Sequence, residues 1–409
     1  MDKKKSIKVL QDILKIKTEN DNEKEVAIYL KNLLNENGIE SELVEFDEGR
    51  CSLVAEISNG EGKTLAISGH MDVVNAGNEE EWDKPPYAGI IENDVIWGRG
   101  ASDMKSGLAA LVLAMIDLHN SKKFKGKIRL LATVGEEIGE LGSKQLTDEG
   151  HADNIDAMLI REPVNIGIVY AHKGSLNYKV TSKGLAAHSS APETGNNAIE
   201  NLLKLINEIT VKINENIEKH VNKVLGKTIH NITLVKGGTQ VNSIPDYAEY
   251  EANARTIPEY SSEDVINDIQ NIINQFNKES KNNFELIVTA NQAPVETKPD
   301  SELIKVIQEV VNDYEDIKPK NLIKSMEDLL DTDLSFVSEL LGDAEAIQPI
   351  AVSGTTDAAQ FIRANKDIEL AVFGPGVPVL NHKINERMPL SQYLDFIEAY
   401  KMIFEKYLS

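Results

Sequence analysis

His70-Met71-Asp72 closes the apolar run Leu65-Ala66-Ile67-Ser68-Gly69, so an imidazole, with a carboxylate two residues on, leaves the end of a buried strand. Neutral imidazole is a metal ligand, and a neighbouring carboxylate can fix its tautomer and orientation. Alone, the pattern is weak and reads more readily as a surface turn. It gains weight from Asp103, Glu137, Glu162 and His382, which stand at the ends or starts of later elements. Glu137 follows the apolar run 128–135 and Glu162 follows 157–160. With His70 they set three candidate ligands at carboxyl ends of strands, the edge where open α/β sheets bind ligands. Asp103 precedes a helix, where an ordinary N-cap is the plainer reading. Glu136-Glu137 taken singly is solvated charge, and His382 a surface imidazole; the coincidence of all five argues for a metal site.

The elements that must hold these residues follow from periodicity. Helices are expected at about 4–17 and 22–37, the second ended by Gly38, then strands at 40–46, 51–58 and 64–69. A helix follows Ser102-Asp103, then a strand at 127–134, a short helix near 141–149 and a strand at 156–160. Such alternation argues for a sheet covered by helices. Strand 175–182 precedes a long helix with Ile199, Leu202, Leu203, Ile206, Ile209, Ile213 and Ile217 on one stripe. Strands 228–235 and 246–256, a helix carrying Val265, Ile266, Ile269, Ile272, Ile273 and Phe276, and strand 284–289 complete a βαββαβ order. That order is a self-contained split-βαβ, ferredoxin-like module. The expected fold is therefore α/β with two domains. Residues 1–174 and 293–409 form a discontinuous domain with a mixed sheet flanked by helices, and 175–292 are inserted into it.

At 409 residues, two domains are the default. With 66 acidic against 43 basic residues the formal net charge is −23. This field repels phosphate backbones and anionic lipid, so no nucleic-acid or membrane partner is expected. The single cysteine, Cys51, excludes an intramolecular disulfide, suits a reducing compartment and lies in a strand-like run as buried filler. Lys3 to Lys5 precede a helical period broken by Lys8, Gln11 and Asp12 rather than a secretory signal. A cytoplasmic location is expected. Other chemistries fail on spacing. Gly98-x-Gly100 lacks the third glycine of a dinucleotide fingerprint, its place being Asp103. Gly62-Lys63-Thr64 has Ile57 where a phosphate loop needs glycine, and no Gly-x-Ser-x-Gly elbow occurs.

At a larger scale the chain resembles a known family. Ser68-Gly69-His70-Met71-Asp72-Val73-Val74, Gly98-Arg99-Gly100-Ala101-Ser102-Asp103-Met104-Lys105, Glu136-Glu137 and Glu162-Pro163 stand in the family's order and spacing. So do Ser353-Gly354-Thr355-Thr356-Asp357 and His382-Lys383-Ile384-Asn385-Glu386. They resemble the succinyl-diaminopimelate desuccinylase, acetylornithine deacetylase, aminoacylase and carboxypeptidase family of di-metal hydrolases. The resemblance implies one metal on His70 and Glu162, a second on Glu137 and His382, and Asp103 bridging both. Imidazole plus carboxylate suits Zn²⁺, with Co²⁺ or Mn²⁺ as substitutes. It further implies that Asp72 orients His70 and that Glu136 is the general base. His188, in Gly184-Leu185-Ala186-Ala187-His188-Ser189, would reach the partner subunit's site in a homodimer joined through the inserted lid. Arg255 lies on the polar face of its strand, where a salt bridge is the plainer reading; the family uses it, with Asn242, to grip a substrate carboxylate. Gly354 and Thr355, in a turn opening a helix, would offer backbone N–H groups to the same ligand.

The implied activity is hydrolysis of a small N-acyl amino acid with a free carboxylate, N-succinyl-LL-2,6-diaminopimelate foremost. Acetylornithine or other N-acyl amino-acid deacylation, or dipeptidase or carboxypeptidase action, are the alternatives within the family. Glu rather than Asp at 162 favours the deacylases. A non-catalytic metal- or peptide-binding protein would not need Glu136. The departure from the family is the long connection 316–348, with Met326, Leu329, Leu330, Leu334 and Phe336, which bears on the pocket and so on acyl specificity.

Overall fold

The computed structural model describes residues 2–279, 283–335, 337 and 345–409. They gather into two compact units: Met1–Tyr170 with Thr297–Ile350 and Thr356–Ser409, and Ala171–Glu296 with Ala351–Thr355.

The first unit is built on a mixed sheet. Its strands run in the order Ser41–Asp47, Arg50–Asn59, Gly126–Thr133, Thr64–His70, Ala157–Ile160, Glu369–Val372 and Ile168–His172. The outer pairs Ser41–Asp47/Arg50–Asn59 and Arg50–Asn59/Gly126–Thr133 are antiparallel. The inner pairs from Gly126–Thr133 across to Glu369–Val372 are parallel. Thr64–His70 and Ala157–Ile160 are buried at every residue. This is the pattern of parallel strands covered on both faces, and it explains why they read as continuous apolar runs rather than alternations. Helix Lys105–Ser121 is apolar on all sides and buried almost throughout, as a helix inside a large core must be. Among its buried residues is Lys105, whose Nζ donates to the carbonyls of Ile13 and Ile16 at 3.1 and 2.7 Å.

The expected helices and strands of this unit lie within a few residues of those observed. A hairpin, Ile90–Glu92 and Val95–Trp97, was not anticipated. Its two-residue turn places Asn93 and Asp94 at φ 53° and 59°, the left-handed pair of a type I′ turn. Val95–Trp97 also pairs antiparallel with Arg387–Pro389. In the long connection, helix Pro319–Leu330 buries Leu322, Ile323 and Met326, and Leu334 is buried beyond it. Phe336 and 338–344 lie outside the described residues.

The second unit carries the antiparallel sheet Ile229–Gly237, Tyr247–Thr256, Gly174–Lys183, Asn283–Gln292. In chain order this is 2-3-1-4, with helices Ala198–Lys219 and Ser262–Glu279 as the crossovers. Helix Ala198–Lys219 buries Leu202, Leu205, Ile209 and Ile213. Leu203, expected on that stripe, is 56% exposed: it adjoins Leu202 in sequence but lies about 100° round the helix from it.

Candidate metal centre

His70 is the last residue of Thr64–His70, and Gly69 before it lets the Met104 side chain approach closely. A Cβ there would run into the Met104 methyl group, and Met104 Sδ lies 3.0 Å from the His70 amide. The His70 ring is 1% exposed. Its Nδ1 lies 2.9 Å from the main-chain carbonyl of Asp72. A carbonyl only accepts, so Nδ1 carries the proton and the Nε2 lone pair is left for a ligand. The Asp72 carboxylate, 3.4 Å from Nδ1 through Oδ1, has a second task. Its two oxygens accept the amides of Glu136 and Glu137, each at 3.2 Å. Asp72 thus ties His70 to the turn that follows Gly126–Thr133.

Asp103 is not a helix cap. Helix Lys105–Ser121 starts two residues later, behind Met104, with no side-chain cap. The Asp103 carboxylate instead lies between two imidazoles, with His70 Nε2 3.4 Å from Oδ1 and His382 Nε2 3.5 Å from Oδ2. His382 Nε2 is also 3.0 Å from Glu137 Oε1. One donor atom each of His70, Asp103 and Glu137 lie within 4.8 Å of one another. Glu162, buried two residues beyond the end of Ala157–Ile160, interacts electrostatically with His70 and Asp103.

The cluster is dominated by burial and by charge. Burial pushes Glu162 up to about 8, helped by the like charge of Asp103 and opposed by His70. Burial, then Glu162, raises Glu136 well above the usual carboxylate range. Asp103 is burdened by burial too, yet the His382 and His70 imidazoles on either side hold it below that range. The same contacts with Asp103 and Glu137 raise His382 to about 10. So many carboxylates share one buried space that positive charge is needed among them.

Divalent cations fit the donor set. Two donors on one tetrahedral ion, with bonds of ~2.0–2.1 Å, stand about 3.4 Å apart. The separations of 3.4 and 3.5 Å from Asp103 to His70 and His382 match that spacing and are long for charge-assisted hydrogen bonds, whereas His382 and Glu137 are at hydrogen-bond distance, 3.0 Å. Asp103 Oδ1 is buried with no hydrogen-bond partner, as a ligand atom would be.

Some residues that build this centre carried no assigned role in the sequence. Arg161, fully buried beside Glu162, donates through Nη2 to Ser102 O at 2.8 Å, to Ser106 Oγ at 3.1 Å and to the carbonyl of Pro375. Gly107 leaves it room, since a Cβ there would overlap the guanidinium. Asp357 accepts from Thr133 Oγ1 and Ser143 Oγ, both at 2.6 Å. Glu386 holds the loop that bears Asp103. The only hint was that Asp357 and Glu386 close the Ser353 and His382 motifs; nothing in their spacing says what they face.

The other expected site residues lie in the second unit. His188 is exposed in the short strand Ala187–His188, paired with Ser243–Ile244. The amide of Ser190 donates to its Nδ1 at 3.2 Å, which leaves the proton on Nε2. Asn242 is exposed beside it, its carbonyl accepting from the Ser189 amide at 3.1 Å. Arg255 is half-buried on Tyr247–Thr256, opposite Ile229 and Ser175. Asn242 precedes the start of that strand and Arg255 sits at its far end. At ~3.3 Å per residue, Arg255 stands about 26 Å along the strand from Tyr247. Gly354 is exposed and Thr355 half-buried; the helix that follows, Ala358–Phe361, is a single turn.

Among the described residues, no helix is long and apolar enough to cross a membrane. The family model for peptidase family M20/M25/M40 matches residues 66–337. A relative from Staphylococcus aureus (strain MRSA252), named probable succinyl-diaminopimelate desuccinylase, is 39% identical, over 99% of this chain and 98% of its own length. The fold is similar to that of an M20 family metallo-carboxypeptidase, Sso-CP2, from Sulfolobus solfataricus, with TM-score 0.74 and 20% identity over 100% of this chain and 99% of the other. It is also similar to the Bacillus subtilis YXEP protein, a dinuclear metal-binding peptidase of the M20 family, with TM-score 0.66 and 15% identity over 99% and 98%. The carboxylate–imidazole cluster, the mixed α/β sheet that carries it and these likenesses agree: the chain belongs to peptidase family M20/M25/M40 and is a hydrolase acting on amide bonds.

Proposed function

We propose that this hydrolase cleaves the amide of a small N-acyl amino acid with a free carboxylate. The first candidate is N-succinyl-LL-2,6-diaminopimelate, which gives succinate and LL-diaminopimelate for diaminopimelate and lysine biosynthesis. The observation that carries the reading is Asp103 lying between His70 and His382, with Glu137 against His382, in a chain whose Staphylococcus relative bears the desuccinylase name. In this reading His70 and Glu162 would hold one divalent ion and Glu137 and His382 the other. Asp103 would serve both, and zinc is expected, with cobalt or manganese able to replace it. When bound, the pair supplies Lewis-acid polarisation of the amide carbonyl and eases deprotonation of water.

The chain's own groups do the rest. Glu136, its pKa raised by burial and Glu162, takes the proton of the attacking water and hands it to the leaving amine. Asp72 positions His70 and the Glu136-Glu137 turn without touching substrate. His188 donates Nε2–H to the developing oxyanion; the acceptor state of its Nδ1 supports that role. Arg255 grips the substrate carboxylate as a guanidinium fork, joined by the backbone at Gly354 and Thr355. Because the Asn242 carbonyl accepts the Ser189 amide beside His188, Asn242 joins this site together with His188 from the partner subunit of a cytoplasmic homodimer.

The test is a panel of N-succinyl-diaminopimelate, N-acetylornithine, other N-acyl amino acids and dipeptides, assayed with Zn²⁺, Co²⁺ or Mn²⁺. Succinyl-diaminopimelate is expected to have the highest kcat/KM, and chelation to abolish turnover until metal is restored. A dipeptide turned over best would move the chain to the peptidases; full turnover in rigorously metal-free protein would end the di-metal reading.

A further inference from the structure

Glu386 has no role in the reaction described above, yet it is fully buried and takes more directed hydrogen bonds than any ligand of the centre. Its Oε1 accepts three amides of one loop, from Gly100 at 3.1 Å, Ser102 at 2.7 Å and Asp103 at 2.9 Å. Its Oε2 accepts Arg99 Nη1 at 2.6 Å. Arg99 is 1% exposed, donates its other terminal nitrogen to Asn75 O at 3.2 Å and lies under the Trp82 ring at 5.3 Å. A buried carboxylate is costly unless its lone pairs are met. Here they are met almost entirely by the backbone of the loop that ends in Asp103.

That loop is fastened to the loop bearing His382 along its length. The amide of Gly98 donates to the Glu386 carbonyl at 3.0 Å. Ser102 Oγ donates to Asn381 Oδ1 at 3.0 Å and accepts the Val377 amide at 2.8 Å. Immediately outside, Arg387 and Trp97 are register partners in the antiparallel pairing of Val95–Trp97 with Arg387–Pro389. His382 itself is at φ 61° and half-exposed, so little packing holds it in place. His70 and Glu162, by contrast, sit at the ends of fully buried strands.

We propose that Glu386 is a positioning residue for metal binding: by holding the main chain of Asp103 and binding the Asp103 loop to the His382 loop, it pre-forms the half of the centre made by Asp103, Glu137 and His382. The proposal rests on the di-metal reading given under Proposed function. The half made by His70 and Glu162 depends on it less, since only its Asp103 oxygen is held this way.

The experiment is titration of metal-free protein with Zn²⁺ by calorimetry, with bound metal counted after gel filtration, alongside thermal melting of the metal-free samples. Wild type is expected to bind two ions per chain; failure to do so sinks the di-metal reading, not the role of Glu386. Given two ions in wild type, Glu386→Gln is expected to weaken the second by ~10–100-fold, the range for groups that orient ligands, and to leave the first within about threefold. Glu386→Asp, which keeps the charge but draws it back from the amides, should recover only part of the loss. Two wild-type affinities in Glu386→Gln, whether or not its melting temperature falls, would show a purely structural carboxylate and overturn the proposal. If Glu386→Gln does not fold, Asn381→Ala, which cuts only the link from Ser102, is titrated instead. A selective weakening of the second ion is expected there also, and unchanged affinities overturn the proposal.

Discussion

The centre in the first unit and the polar groups at the ends of the second unit's sheet are built in opposite ways. His70, Asp103 and Glu162 are buried, and each grows from an element fixed by its surroundings. Asp72, Glu386 and Arg161 then fasten the connecting loops by hydrogen bonds to backbone. His188 and Asn242 are exposed on a two-residue strand and a turn, and Arg255 stands alone at the far strand end. The difference teaches which parts are complete in one chain. Groups that must meet within ångströms are held by a packed sheet and its buried hydrogen bonds. Groups proposed to meet a ligand or a second chain are left exposed or half-buried, and would gain their partners on binding.

The largest break in this comparison is expected inside the buried cluster. Asp103→Ala should lose bound metal and activity together, because both imidazoles face that carboxylate. Glu136→Gln should keep near-normal metal content while kcat falls by roughly 10²–10⁴-fold, the range for a general base. Metal analysis beside steady-state kinetics separates them. Equal metal content in the two variants would remove the distinction between shared ligand and base.

Effects at the exposed groups should depend on assembly and substrate rather than on metal. His188→Ala and Glu136→Gln, each nearly inactive, should regenerate active sites when mixed into verified heterodimers; no gain would place His188 in its own chain's site or in none. Arg255→Ala should raise KM by about 10–100-fold with less change in kcat, the loss of a charge-assisted fork. Esterifying the substrate carboxylate should mimic it. Equal turnover of acid and methyl ester by wild type would take Arg255 out of recognition.

The smallest effect sharpens the contrast through pH. In the second unit, burial pushes His230 and His172 down to about 4, against roughly 6.5 in an unfolded chain. Between those values the unfolded chain binds protons that the folded chain does not. Stability is therefore full above about pH 6.5, falls as pH drops through that window and levels off below about 4. His230→Gln, which retains an acceptor for Tyr178, should flatten part of the slope. Urea unfolding from pH 7.5 to 4.5 measures it, and an unchanged slope would show that His230 does not titrate.

Much of the sheet unit was legible because its signals are local. Apolar runs such as 65–69 and 157–160 read as buried strands, so His70 directly after one and Glu162 two residues after the other stand at strand carboxyl ends. The hairpin at 90–97 was missed because three-residue strands carry too little period, although Asn93-Asp94 is turn chemistry. Leu203 was misplaced because an apolar residue can border a helical stripe without joining it.

Residue types, spacing and hydrophobic period determined by themselves the α/β class, the βαββαβ order of the second unit and the list of groups able to bind a divalent ion. Those properties depend on neighbours along the chain. Only the tertiary structure decided that Asp103 faces two imidazoles rather than capping a helix. It also decided that Asp72 carries the Glu136-Glu137 turn and that Glu386 reaches 283 residues back to the amide of Asp103. Long-range hydrogen bonds of this kind leave no period in a sequence, because any buried carboxylate will take whichever backbone amides the packing of the sheet and helices brings to it.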